Sequence, residues 1–289
     1  MQNERFYDQT LNAIERGALG TAYPLLAGKL FADYVNSTRW TEARSALHAH
    51  PLHALLMEDP YSARAAGKPR GYAGDAELID LAYNQLPPTG TTHRAAEMFD
   101  LSVRFQAAEG LRERRDYAAG RVTKAWAEGK RICALACGHL REAGSLIGKD
   151  VSNITAIDQD LLSLNVVRAN HGDTITTYEA NVIHFLRGAA KRGETFDLIY
   201  TLGLTDYFDD RAMSLLHRLM SACLAPGGEI LIANFVPDHL AIGWMDAVMD
   251  WHLIYRNEAD MERFAAEIGM KARTFRDVTQ SIVFCEMAR

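Results

Sequence analysis

Residues 131–158 read RICALACGHLREAGSLIGKDVSNITAID. An apolar run over 132–136 ends in Cys137-Gly138 and passes into a polar segment that can start a helix. About twenty residues further on, a second apolar run ends in Asp158. This is the spacing of the first strand–helix–strand unit of a nucleotide-binding α/β sheet. In such a unit a glycine after the first strand lets the backbone approach a ligand, and an acid after the second can hold both hydroxyls of a ribose. Strand and helix patterns keep alternating to the C-terminus, so Gly138 and Asp158 sit inside a fold that can use them.

The loop itself is poor in glycine, with Gly138 in the turn and the next at Gly144. G-x-G-x-x-G and GxxxxGK[ST] are both absent, and with them the row of exposed N–H groups that a phosphate needs. A ligand with a ribose and no phosphate fits better, and S-adenosylmethionine is the common one. Here the chain resembles the class I S-adenosylmethionine-dependent methyltransferases, whose first motif usually reads hydrophobic-Asp-hydrophobic-Gly-Cys-Gly-x-Gly. Cys137-Gly138 match it, whereas Ala134, Ala136 and Leu140 stand at the positions of the acid, the first glycine and the last glycine. The resemblance continues in Glu179-Ala180-Asn181-Val182 after a third strand and in Phe196-Asp197-Leu198-Ile199-Tyr200-Thr201 as a fourth. It ends in Leu224-Ala225-Pro226-Gly227-Gly228-Glu229-Ile230-Leu231-Ile232, a helix end, turn and fifth strand, and covers residues 125–289. It implies a Rossmann-like seven-stranded sheet and S-adenosylmethionine as cofactor. The implied contacts are Ala136 and Gly138 in the first loop, Asp158 and Gln159 at the ribose, Asn181 and Val182 at the adenine, and Thr201 and Gly203 beyond the fourth strand.

A narrower resemblance lies outside this core. Asp59-Pro60-Tyr61, Lys68-Pro69-Arg70-Gly71-Tyr72-Ala73-Gly74-Asp75, Asn234-Phe235 and Trp251-His252-Leu253-Ile254-Tyr255-Arg256 look like the signature of a bacterial subfamily. That subfamily includes the enzymes that make 3-hydroxypalmitic acid methyl ester, and bacterial methionine S-methyltransferases are similar to it. The resemblance implies an N-terminal helical cap, a place in bacterial secondary metabolism, and an acceptor site of Tyr207, Asn234, Trp251, Tyr255 and Arg256. In it, Tyr72 and Tyr207 would position the reactants, and Tyr72 and Gly74 would reach the cofactor from loop 68–75. That loop, with one proline and two glycines among charged and aromatic residues, reads as a lid or, more plainly, as a surface turn.

Composition agrees with a globular enzyme: 48% hydrophobic and 24% charged residues are ordinary for one. The formal net charge of −6 argues against a nucleic-acid partner, whose phosphates favour a basic surface. No apolar run is long enough to span a bilayer and the N-terminal residues lack a signal-peptide pattern, so membrane insertion is not expected and a cytoplasmic location is. Cys133, Cys137, Cys223 and Cys285 lack zinc-type spacing and read as small core hydrophobes rather than metal ligands.

The chain divides by pattern. Residues 1–92 show helical spacing, broken by Pro24, Pro51, Pro60 and Pro69, and are expected to form the cap. Residues 93–289 form the cofactor-binding domain, opening with a helix-rich run over 93–129. Strands are expected at 131–137, 153–158, 173–178, 196–202 and 228–235, with an antiparallel pair at 271–276 and 281–287. The clearest amphipathic helix covers 211–224, and Pro226-Gly227-Gly228 reads as the turn after it. Trp244, Trp251 and Tyr255 have helical spacing and suit either core or pocket. Asp158 and Asn181 each have a plainer reading as helix caps or turn residues, and His139 could be a base or merely open a helix.

These readings converge on methyl transfer to a small carboxylate-bearing molecule, by fatty-acid carboxyl O-methylation or methionine-type thioether S-methylation. The expected partner is a small-molecule acceptor; a homodimer stays open. Neither chemistry requires a general base or a metal, since the cofactor's sulfonium already activates the methyl. The alternatives are N-methylation of a small amine and a non-catalytic cofactor-binding regulator.

Overall fold

The computed structural model describes residues 2–36 and 38–289. In chain order the helices before the sheet are α1 (Gln2–Glu15), α2 (Leu19–Val35), α3 (Trp40–Ala49), α4 (Pro51–Leu56), α5 (Pro60–Gly67), α6 (Ala76–Asn84), α7 (His93–Ser102) and α8 (Gln106–Ala127). There follow β1 (Ile132–Leu135), β2 (Ile154–Asp158), α9 (Leu161–His171), β3 (Thr176–Glu179), α10 (Val182–Arg192), β4 (Phe196–Thr201) and α11 (Asp210–Ala222). The chain closes with β5 (Leu224–Phe235), α12 (Ile242–Ala247), α13 (Glu258–Glu267), β6 (Lys271–Arg276) and β7 (Ile282–Ala288).

Two units emerge. One comprises the residues up to Arg112 together with Asp238–His252; the other comprises Glu113–Pro237 and Leu253–Arg289. The first unit therefore takes in α1 to α7 and the start of α8, and the chain returns to it after β5.

The second unit holds a seven-stranded sheet in the order β3-β2-β1-β4-β5-β7-β6. The first five strands are parallel, with Ile132 opposite both Ile154 and Leu198. β7 runs antiparallel to β5 and to β6. This is the expected Rossmann-like arrangement, and its order reverses between β1 and β4, the place where such sheets open a ligand crevice. One face buries Cys133, Leu135, Ile157, Ile199, Ile230 and Ile232 under Phe185, Met213, Leu216 and Phe264. The helices that cover it form for local reasons. α10 buries Val182, Phe185, Leu186 and Ala189, one stripe at helical spacing, behind an Asn181 cap. α13 opens with a capping box between Asn257 and Asp260.

Two expectations need correction. Pro226-Gly227-Gly228 is not a turn before the fifth strand but a bulge inside it: Phe196 pairs with Leu224, and two residues later Leu198 pairs with Glu229. A bulge is where a sheet tolerates proline. Pro24 does not break a helix, because it lies inside α2. It removes one amide donor near the N-terminal end, while Tyr23, Leu26 and Leu30 stay buried and hold the helix. Pro51 and Pro60 start helices, as proline at a first turn should.

In the helical unit, α12 crosses α2 so closely that a Cβ on Gly243 would overlap the Leu30 carbonyl. Trp244 packs on Tyr23 and Phe105, Trp40 donates to Asp246, and Arg44 pairs with Asp250. No helix among the described residues is long and apolar enough to cross a membrane.

Candidate functional site

The loop after β1 is held in an uncommon conformation. Ala136, Gly138 and Leu140 have φ of 51°, 52° and 52°, so three alternate residues are left-handed and two of them are not glycine. The backbone that a run of alternating glycines would adopt is kept with alanine and leucine, at about 1–2 kcal/mol of strain for each. Buried Leu140 holds the end of this loop against the core.

Asp158 closes the site from the next strand. It is 6% exposed. Its carboxylate accepts from the Gly138 N–H at 2.8 Å and from the Asp160 N–H at 2.9 Å. Burial raises its pKa, opposed by the N–H groups of Asp160 and Gly138. The cap of α9 is Asp160, so Asp158 is left to tie the ends of β1 and β2 together, with lone pairs to spare for hydroxyl donors. Gln159 beside it is exposed.

At the end of β3, Asn181 caps α10 by accepting from the N–H groups of Ile183 and His184. Its plainer reading as a cap therefore describes what its side chain does. The Val182 side chain lies in the apolar core under the sheet. His139 is buried in the first loop. All four cysteines are free and buried, and burial pushes each thiol up. No group of metal-binding side chains is present among the described residues.

Beyond β4 and β5 the outcome differs from the acceptor site expected. Asn234 is fully buried and accepts from the Thr205 hydroxyl at 2.9 Å, while its amide donates to the carbonyls of Phe235 and Ile254. Arg256, 2% exposed, donates to the Thr205 carbonyl at 2.8 Å and to that of Phe208. It reaches Asp210 at 3.4 Å. These side chains brace the loops and have their hydrogen bonds committed, so neither is placed to grip an acceptor carboxylate. Asp206 belongs to the same knot, accepting from the Phe235 N–H at 2.7 Å. Burial pushes its carboxyl up to about 6 against the pull of that N–H, Arg114 and Arg256. Tyr207, at 39% exposure, faces outward next to it, and Tyr255 is half-buried. Trp251 and Tyr255 lie in extended chain after α12, so the helical spacing expected for them does not correspond to a helix.

Thr201 and Gly203 flank the end of β4. Thr201 is buried and its hydroxyl has no partner. A Cβ on Gly203 would stand 3.5 Å from both terminal nitrogens of Arg114, a residue the sequence reading passed over. Arg114 lies in the run Leu111-Arg112-Glu113-Arg114-Arg115, which looks like a solvated helix face. Yet it falls in the buried stripe of α8 with Ala107, Leu111, Ala118 and Val122, and a charge within an apolar stripe was the signal to follow. Glu142, also missed, is buried and accepts from the Tyr200 hydroxyl at 2.7 Å.

Tyr72, Gly74 and Trp251 belong to the helical unit. Loop 68–75 is anchored there. Asp75 is fully buried, caps α6 and takes a two-pronged bond from Arg64, while Lys68 pairs with Asp250. Asp59 is the matching buried cap of α5 and also accepts from Ser102. Trp251 joins Tyr61, Phe105, Trp244 and Met249 around a small apolar cavity.

No protein-family profile matches the chain, and no curated protein does. Among solved structures, a possible exported protein from Bordetella parapertussis is 20% identical with a TM-score of 0.56, over 74% of this chain and 79% of that one. The magnesium protoporphyrin IX methyltransferase of Synechocystis, crystallised with S-adenosylhomocysteine, is 15% identical over 63% and 87% of the two chains, with a TM-score of 0.48. An O-methyltransferase family protein from Burkholderia thailandensis is 15% identical over 68% and 60%, with a TM-score of 0.47. At these identities the likeness is one of fold.

Proposed function

We propose that the chain is an S-adenosylmethionine-dependent methyltransferase acting on a small molecule. The observation that carries this reading is the tie between the left-handed loop after β1 and the Asp158 carboxylate at the end of β2. A buried acid at the end of β2 thereby stands against the loop backbone beside the point where the strand order reverses, without a phosphate cradle, which supports a ribose-bearing ligand. The residues present fit that cofactor. Asp158 would take the ribose hydroxyls, and the turns at 136–140 and 201–203 would admit the rest by close backbone approach. When bound, the cofactor supplies an activated methyl group. The protein's share is to align the acceptor and keep water away.

The acceptor class rests on the narrower resemblance: a carboxylate-bearing molecule, methylated on that carboxylate or held by it. Tyr207 and Tyr255 remain its proposed contacts in the sheet unit. The parts proposed for Tyr72, Gly74 and Trp251 rest on the resemblance alone.

The test is calorimetric titration of S-adenosylmethionine and NAD, followed by incubation with 3-hydroxy fatty acids, methionine and small amines while S-adenosylhomocysteine is measured. Asp158→Ala should weaken cofactor binding by roughly ten- to a hundredfold, the worth of a charge-assisted pair of hydrogen bonds. Tighter binding of NAD would overturn the reading. Cofactor binding without product from any acceptor would favour the regulatory alternative.

A further inference from the structure

We propose that Arg114 and Glu142 form the subsite for the amino-acid end of the cofactor, with Arg114 taking its carboxylate and Glu142 its ammonium. This rests on the cofactor assignment above and concerns a part of the ligand that the sequence motif leaves unprovided for. Ala134 and Ala136 carry no polar side chain, so nothing within the β1 segment answers a charged ammonium.

The argument begins with unmet electrostatics. Arg114 is 5% exposed. One terminal nitrogen donates to the Leu202 carbonyl at 2.6 Å; its Nε is buried with no partner. Among the described residues no carboxylate forms an ion pair with it. Asp206 and Glu142 are near enough to feel its charge but are not paired with it, and a two-pronged anion is what its remaining donors are shaped for.

Glu142 presents the opposite need. It is buried on the turn that follows the left-handed loop, and its one side-chain partner is the neutral Tyr200 hydroxyl. Arg114 bonds the Leu202 carbonyl, two residues beyond the Tyr200 whose hydroxyl holds Glu142, and its charge favours that carboxylate, yet the two do not pair directly. A receptor for a zwitterion must hold its two charges near one another and unsatisfied by each other. Asp206 is tied instead to the end of β5, accepting from the Phe235 N–H.

The experiment compares two ligands that share adenosine and thioether but differ in the amino-acid end: S-adenosylhomocysteine and 5′-methylthioadenosine. Both are titrated calorimetrically into wild type, Arg114→Met, Arg114→Lys, Glu142→Gln and Asp158→Ala. Arg114→Met and Glu142→Gln are expected to weaken S-adenosylhomocysteine by roughly ten- to a hundredfold while leaving 5′-methylthioadenosine unchanged. Arg114→Lys, which keeps charge but loses the fork, should fall between. Asp158→Ala should weaken both ligands alike. Equal loss of both ligands in the Arg114 and Glu142 variants would overturn the subsite and leave them a structural role; so would unchanged S-adenosylhomocysteine binding. Wild type that binds neither ligand would instead overturn the cofactor assignment itself.

Discussion

At residue scale the informative positions are those where side-chain identity and backbone conformation disagree. Ala136 and Leu140 occupy left-handed backbone that glycine would occupy without strain. The two should respond differently to replacement. Ala136→Gly relieves strain and gives up some unfolded-state restriction, for a net stabilisation of about 0.5–1 kcal/mol in urea unfolding. Leu140→Gly relieves the same strain but removes a buried side chain, and should lose about 2 kcal/mol or more. If both variants lost stability equally, the strain would be negligible. The meeting of Gly138 and Asp158 was legible in the sequence because it follows from the spacing between two apolar runs. Arg114 and Glu142 were not, because burial of a charge depends on what packs against it, and neither neighbour is near in sequence.

Elements meet at the knot that joins the ends of β4 and β5. Sequence reading put Asn234 and Arg256 at the C-terminal end of the fifth strand, and both stand there: Asn234 is its penultimate residue and the Arg256 N–H donates to the Phe235 carbonyl. Their roles were illegible, because which carbonyls a guanidinium satisfies is fixed by loop geometry. Arg256→Met should destabilise by about 3 kcal/mol, leaving the Thr205 and Phe208 carbonyls without their donor. Among molecules that remain folded it should leave the acceptor KM unmoved, and a raised KM at unchanged stability would restore it to the acceptor site. Asp206 gives the same knot a pH dependence. Its folded value is about 6 against an ordinary 3.8, chiefly through burial. A raised acid holds its proton more tightly when folded, so its stabilising contribution is full below the unfolded value and is lost as pH rises through the folded one. Asp206→Asn, which keeps an acceptor for the Phe235 N–H, should therefore gain melting temperature relative to wild type as pH rises from about 4 to 7. A difference that stays flat across that range would show that the carboxyl is not perturbed.

At the scale of the whole molecule, the helical unit is assembled from two stretches of chain. Residues 238–252 contribute Trp244 against Tyr23 and Phe105, Gly243 against Leu30, and Asp246 and Asp250 to Trp40 and Arg44. Hydrophobic periodicity disclosed helices in the N-terminal part, but nothing local announces that a segment between β5 and α13 packs with them. Deleting residues 1–90 should consequently strip partners from Trp244 and expose apolar surface, giving a protein that binds a hydrophobic dye and aggregates on a sizing column. A monodisperse, active truncation would show that the second stretch holds its place unaided. Gly243→Ala offers a milder probe of the same packing, and its backbone overlap with Leu30 should lower the melting temperature of the intact chain.

That two-part construction has a consequence for biosynthesis. The N-terminal helices leave the ribosome first, yet the segment that completes their core ends at His252. At ordinary elongation rates the intervening stretch of about 140 residues takes roughly 7–28 s to translate. Throughout that interval the nascent helices carry uncovered apolar surface, including Tyr23 and Leu30, and are a natural client for a holding chaperone.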